Sequence, residues 1–300
     1  MTRRAFGETF ETGDPVNQTL KRFVDKSFAS ILPMLPLRPR IVLAYLKSYR
    51  RLSSFKHPKL YSERMQARKL SGVDFTPLID KIEAKKFAAG RCGSDVVIPT
   101  FYAGDTLPPR DERNWPFPYV IKTTHASGGN IFVRSPPDWD EVEQTVDRFL
   151  AHRHSRVSGE VFYDKIKPRV LVEPMIGNGD LPEDYKFFVA GDRVHFVQVD
   201  QDRATDHRRV FYSPKWERLD LRDDKPVGRD QPKPANLANM VEVASELGSD
   251  LGFARVDLYN IDGKIYFGEI TLTPEAGYAK FYPSHWDNIL GQAWGESGHA

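Results

Sequence analysis

Apolar and polar residues alternate between Phe253 and Pro274, where the chain reads F-A-R-V-D-L-Y-N-I-D-G-K-I-Y-F-G-E-I-T-L-T-P. Period-two alternation on both sides of Asp262-Gly263 predicts two strands joined by a tight turn. Apolar runs predict further strands at 96–102, 119–123, 130–134, 169–173, 185–190 and 193–199. Helical spacing predicts a capped helix over 76–90, ending on Gly90, and helices at 138–152 and 236–251. From Leu20 to Leu70 the pattern is mostly helical, broken by the Pro33–Pro39 stretch and by His57-Pro58. Residues 1–18 read as a loose tail, and the proline-rich, charged stretch 107–118 as a linker. Strands and helices do not alternate as regular βαβ units, so the expected class is α+β, rich in antiparallel strands.

Arg255, Asp257 and Glu269 interrupt the last two strands, and polar groups among so many apolar ones need partners. Two carboxylates beside an arginine suit a metal–phosphate cluster, provided that they share a face. Alternation puts Arg255 with Asp257 on one face of the first strand, and Glu269 with Thr271 on one face of the second. A two-residue primed turn at Asp262-Gly263 would pair 261 with 264 and send Glu269 to the other side. The fuller string Asn260-Ile261-Asp262-Gly263 favours a three-residue loop, a type I turn followed by a left-handed glycine. Residue 260 then pairs with 264, Arg255 faces Glu269 and Asp257 faces Phe267. The two carboxylates become diagonal neighbours, their Cα atoms roughly 7–8 Å apart. Taken alone, the hairpin is equally compatible with a solvated Arg–Glu pair and an exposed Asp257.

Composition narrows the partners. The 300 residues are 40% hydrophobic and 28% charged with a net charge of +2, as in a soluble globular protein of one large or two ordinary domains, with no charge to suggest a nucleic-acid partner. The single cysteine, Cys92, excludes an intramolecular disulfide and a multi-cysteine zinc site. Met-Thr-Arg-Arg-Ala-Phe lacks the apolar core of a signal peptide, and no run of ~18 apolar residues occurs, so a cytoplasmic location is expected. Between Arg38 and Lys69, ten Lys or Arg residues stand against one acid, Glu63. That imbalance reads either as a solvated face or as peripheral attraction to an anionic surface, at the inner face of a membrane or on a polyanionic substrate.

Other strings carry chemistry. Lys122 interrupts an apolar strand and needs an anion, and Ser127, Gly128 and Gly129 follow in a hairpin loop whose amides could close over phosphate oxygens. The pattern is not a Walker loop. His125 between them is either a phosphate or substrate contact or a structural residue. L-V-E-P-M-I-G (171–177) runs an apolar strand into Glu173 and an extended connector through Met175 and Ile176, which suits an adenine slot or a plain strand end. Asp184 and Lys186 supply an acid for ribose hydroxyls and a second lysine for phosphates. Arg203 and Arg209 lie in charged loops of the kind that hold phosphate or a carboxylate.

In order, Y-V-I-K-T-T-H-A-S-G-G, L-P-E-D-Y-K-F-F-V-A-G, V-D-Q-D-R with H-R-R-V-F-Y, the hairpin string and F-Y-P-S-H-W-D resemble the ATP-grasp superfamily. The resemblance is strongest to its TupA-like (teichuronopeptide-biosynthesis) family and runs from about His57 to Trp286. It implies two α+β subdomains clasping ATP behind a helical N-terminal extension. The implied layout is a basic extension 1–75, a substrate-cleft segment 76–118, a small subdomain 119–172 with the glycine loop, a large subdomain 173–290 with the metal hairpin, and a tail 291–300. By matching position, Lys122 would bind ATP phosphates beneath the Ser127–Gly129 loop, with Lys81 as the N-domain lysine. Glu173, Met175 and Ile176 would line the adenine hinge, and Asp184 would approach the ribose. Asp257 and Glu269 match the magnesium carboxylates, while Arg255 would neutralise the transferring phosphoryl group. Thr271 stands where many relatives carry Asn, which leaves a second magnesium open. The implied activity is an ATP- and Mg2+-dependent carboxylate–amine ligation through an acyl phosphate, joining an amino acid to a uronic acid or similar group of a cell-surface polysaccharide. A kinase acting on a sugar hydroxyl and a non-catalytic nucleotide-binding component of a polysaccharide assembly complex are the alternatives.

Overall fold

The computed structural model describes residues 32–53, 55–125, 128–152, 159–177, 182–203 and 205–297. The chain opens with helices α1 (Leu37–Tyr49) and α2 (Tyr61–Leu70). Asp80 then divides the single helix expected over 76–90 into α3 (Thr76–Ile79) and α4 (Lys81–Cys92). Its carboxylate accepts the Ile82 and Glu83 amides at 2.9 and 3.1 Å, satisfying the first N–H groups of a new helix. In place of the strand expected over 96–102, Val96 ends a 3-10 turn (Ser94–Val96) and Val97 makes an isolated bridge to Phe267. Pro99 within that stretch has no N–H to give a ladder, and strand β1 begins later, at Tyr102–Gly104.

β1 belongs to a four-stranded antiparallel sheet with β2 (Tyr119–Thr123), β3 (Asn130–Val133) and β4 (Val170–Pro174), in the order β1-β4-β2-β3. Helix α5 (Trp139–Leu150) covers it, packing Val142 and Val146 on Tyr119, Ile121 and Val172. The second sheet has β5 (Asp184–Ala190), β6 (Arg193–Gln201), β7 (Arg208–Tyr212), β8 (Phe253–Ile261) and β9 (Lys264–Thr271), in the order β7-β6-β5-β8-β9. The architecture is thus α+β with two antiparallel sheets, as the pattern of elements predicts. β7 runs where His207-Arg208-Arg209 suggests a charged loop. Between β7 and β8 lies helix α6 (Leu237–Gly248), and helix α7 (His285–Glu296) closes the described chain, passing through 291–296, where a tail is expected.

Alternation on the five-stranded sheet separates two jobs. Tyr185, Phe187, Val189, Val197, Val199 and Val256 point to one side and meet Met240, Ala244 and Leu247 of α6. On the other side, Phe188, Ala190, Phe196, Phe211 and Phe253 pack against Leu290, Ala293 and Trp294 of α7 at one end of the strands. The same side at the other end carries Asp184, Lys186, Asp200, Arg209 and Asp257, all buried. Polar groups so enclosed must satisfy one another or a ligand.

The basic run 38–69 is not a uniform solvated face. Arg40, Arg68 and Lys69 are buried. Arg68 donates to the carbonyls of Phe253 (2.8 Å) and Leu251 (2.6 Å) and stacks over Trp294 at 4.0 Å, tying α2 to the end of β8. No helix of the described residues is long and apolar enough to cross a membrane.

Candidate active site

The β8–β9 hairpin folds through the turn that the sequence disfavours. Ile261 pairs with Lys264, and Asp262 and Gly263 adopt φ of 50° and 80°, a two-residue primed turn. Such a turn alone would put Asp257 opposite Gly268. A bulge between Asp257 and Leu258 shifts the register by one residue, so Asp257 faces Glu269 and Arg255 faces Thr271. A Cβ on Gly268 would lie 3.0 Å from the Asp257 carbonyl, so glycine relieves crowding at the bulge. The expected face survives by a different route.

On that face Arg255 Nη2 lies 2.7 Å from Asp257 Oδ2, 3.1 Å from Glu269 Oε1 and 2.9 Å from the Thr271 hydroxyl. Across the ladder, Lys186 faces Asp257 and donates to its Oδ2 at 2.7 Å, and it also bonds Asp184. Burial alone would raise the Asp257 carboxyl, but Arg255 and then Lys186 hold it below the usual carboxylate range. Burial works against the Lys186 ammonium too, yet Asp257 and Asp184 push it above its ordinary value. Both groups are therefore charged at neutral pH.

The four-stranded sheet presents a second charged group. Glu173 on β4 stands opposite Val120, so Lys122, two residues along β2, shares its face and donates to Oε2 at 2.6 Å. Lys85 on α4 bonds the other oxygen. Burial opposes the Glu173 anion, and Lys122 and Lys85 outweigh it, keeping the carboxyl below its ordinary range. Lys81, one turn before Lys85 on the same helix, is lowered first by burial, against the pull of the Glu269 carboxylate and with the push of Lys122. The helix thus aims two lysines at the region between the sheets. Lys85, four residues after Lys81, belongs to no motif in the sequence and is brought beside Glu173 by the helix.

A cavity of about 270 Å³ is lined by residues of both sheets, Val120 and Lys122 on β2 and Tyr259 on β8. Gly128, Met175, Ile176 and Arg203 also line it. Arg203 also bonds Asp184 at 2.8 Å. Gly129 carries no Cβ because Thr123 Oγ1 would sit 2.7 Å from it, which explains the glycine at the loop's end. Ser127 lies outside the described residues. His125 turns away, its Nε2 3.2 Å from the His152 carbonyl. Arg209 sits on β7 directly opposite Asp200, and it spans Asp200 at 3.1 Å, Asp223, and Glu275 at 2.8 Å. Among the described residues it meets the Lys186 cluster through Asp200, whose Oδ2 is 3.9 Å from Lys186. Asp223 and Glu275, far along the chain, are not flagged by any local pattern.

The cavity lining is largely apolar, with Lys122 and Arg203 as its charged members, the usual make-up of a small-molecule site. The sequence model of the TupA-like ATP-grasp proteins matches residues 62–294. The chain belongs to that family. A comparison with curated proteins returns no sequence match. Solved structures similar to this ATP-grasp chain include the L-amino acid ligase of Bacillus licheniformis (16% identity, TM-score 0.46, over 78% of this chain and 54% of that one). They also include the D-alanine–D-alanine ligase of Bacillus anthracis complexed with ATP (15%, 0.42, 73% and 65%) and that of Helicobacter pylori (18%, 0.40, 73% and 58%). The chain spans between half and two thirds of the length of these proteins.

Whether the ATP-grasp hairpin suits a magnesium ion can be read from Arg255. Among the described residues no three His, Cys, Asp or Glu side chains converge as a ready metal cage. Yet one cationic nitrogen, Arg255 Nη2, already sits among the oxygens of Asp257, Glu269 and Thr271. Two carboxylates spaced to share one cation fit magnesium, which commonly takes one or two carboxylates and completes its shell with phosphate and water.

Proposed function

We propose that this chain is an ATP- and magnesium-dependent carboxylate–amine ligase acting on a cell-surface polysaccharide or its precursor. The observation that carries this reading is the cavity lined by Lys122, Met175, Ile176 and Arg203, where Lys122 bonds Glu173 and Arg203 bonds Asp184, which shares Lys186 with Asp257. Adenine would occupy the slot beside Met175 and Ile176, with Asp184 toward the ribose. Lys122, Lys81, Lys186 and the loop of Ser127, Gly128 and Gly129 would hold the phosphates. Asp257 and Glu269 would carry magnesium, which withdraws charge from the phosphates when bound.

In the first step a substrate carboxylate oxygen attacks the γ-phosphorus, the bond to the β-phosphate oxygen breaks, and ADP leaves. The amine nitrogen then attacks the carbonyl carbon of the acyl phosphate, releases inorganic phosphate and loses its proton to solvent. Arg255 would stabilise charge on the transferring group, with Arg203 and Arg209 holding an anionic part of the substrate. Little acid–base machinery is needed, in keeping with a cleft whose charged side chains are paired in salt bridges. Family membership supports the ligase class; a uronic acid as carboxylate and an amino acid as amine extend that class to the chemistry of polysaccharides.

The test is ADP release measured over a matrix of uronic acids and amino acids, with mass spectrometry of the products. The reading requires ADP and phosphate only where carboxylate and amine are both present, and an amide in the product. A sugar that gains phosphate without any amine would instead make the chain a kinase. ATP binding without turnover, unchanged by Glu269→Gln, would make it a nucleotide-binding component of an assembly complex.

A further inference from the structure

Helix α1 has two occupied sides and one that nothing in the ATP site uses. Its inner residues Ile41 and Tyr45 are buried, with the Tyr45 hydroxyl 3.3 Å from Ser62 Oγ. At its end the Tyr49 hydroxyl donates to the Ala279 carbonyl at 2.9 Å, which fixes the helix beside the chain that leaves β9. Pro39, Leu43, Leu46 and Arg50 recur at four-, three- and four-residue spacing on the opposite side, all exposed. That spacing confines them to an arc of roughly 60° around the helix. Leu43 and Leu46 are 39% and 38% exposed, and the turns at either end of the helix add Met34 at 82% and Leu52 at 76%.

Charge surrounds this apolar stripe. From Leu32 to Ser62 the chain contains no Asp or Glu. Arg38, Lys47, Arg50, Lys56 and Lys59 are exposed. We propose that this face docks on an anionic phospholipid bilayer, with Leu43, Leu46 and the flanking Met34 and Leu52 entering the headgroup boundary and the cations lying over lipid phosphates. The combination decides between an acidic membrane and a soluble polyanion. A polyanion satisfies the cations but leaves the leucines in water, whereas a bilayer takes up both. The stripe is also short and its cations are several, so binding depends on both contributions and falls with salt.

The experiment is co-sedimentation of the full chain with vesicles of phosphatidylcholine alone and of phosphatidylcholine with roughly a third phosphatidylglycerol. Binding is expected to the second and not the first, and to fall as salt is raised. Leu43→Gln combined with Leu46→Gln, which removes the apolar contact without adding charge, should weaken vesicle binding by at least about tenfold, and Leu52→Gln alone by a smaller factor. Binding of both variants to soluble poly-glutamate should stay close to wild type. Failure of the wild-type chain to sediment with anionic vesicles overturns the proposal. So does vesicle binding by the double variant equal to wild type, because the surface would then read charge alone. Neither result bears on ADP release, so the ligase reading stands or falls separately.

Discussion

Asp257 and Glu269 face each other on one hairpin yet stand in different surroundings, and their substitutions should separate stability from chemistry. Asp257 is 3% exposed with both oxygens bonded to cations. Asp257→Asn strips charge from a buried cluster and leaves Arg255 and Lys186 facing each other, so a loss of about 3–5 kcal/mol in urea unfolding is expected, together with loss of turnover. The Glu269 side chain is 44% exposed. Glu269→Gln should cost less than about 1 kcal/mol while ADP release falls about a hundredfold or more. Equal effects of the two on stability would refute the contrast. A second residue gives a pH signature. Burial brings Lys69 from 10.5 down to about 7, against the opposing pull of Glu160 and with the push of Arg40. The unfolded chain restores the ordinary value and therefore binds the extra proton between those two values. Stability then rises with pH through that window, by on the order of 2 kcal/mol between about pH 7 and 9. Lys69→Met should flatten this rise, read as the difference between wild-type and variant urea midpoints at the two pH values.

At the scale of elements, alternation was legible and register was not. The strands 119–123 and 130–133 and the helix 237–248 lie where apolar spacing put them, within a few residues. β7 is not legible in the sequence because Arg208 and Arg209 open it, and a buried arginine opposite Asp200 looks like a loop residue until its partner is known. The helix expected over 76–90 broke at Asp80 because a capping carboxylate is indistinguishable from a surface one by sequence alone. The hairpin shows the limit most clearly. Asn260-Ile261-Asp262-Gly263 suits two turns, and which of them forms depends on whether a bulge can form further along the ladder. Gly268 permits that bulge. Gly268→Val should therefore shift or remove it, since the added atoms press on the Asp257 carbonyl at 3.0 Å and the Tyr259 ring at 3.2 Å. A cost of about 1–3 kcal/mol is expected, with a larger proportional loss of ATP turnover because Glu269 leaves the Arg255 face. Thermal unfolding and ADP release, measured side by side, check it. Wild-type turnover in a destabilised Gly268→Val chain would show that the register is not what holds the carboxylates together.

For the whole molecule, the decisive relation is between sheets, and no single segment of sequence contains it. Lys122 and Glu173 belong to the four-stranded sheet and Asp257 and Glu269 to the five-stranded one, while Met175 and Tyr259 bring both to the same cavity. A nucleotide held there bridges the two sheets and must stabilise the chain as a unit, since it binds the folded state and not the unfolded one. At about a hundredfold excess over its dissociation constant, a magnesium complex of a non-hydrolysable ATP analogue contributes about 2.7 kcal/mol, which for a chain this long raises the melting temperature by roughly 4 °C. Lys122→Met is the variant that tests the assignment, because Glu173 keeps Lys85 as a partner and the sheet loses no strand contact. Its melting temperature without ligand should stay near wild type, and most of the analogue-induced rise should vanish. A wild-type chain that shows no rise, or a Lys122→Met chain that shows the full one, would place the nucleotide elsewhere than between these two sheets.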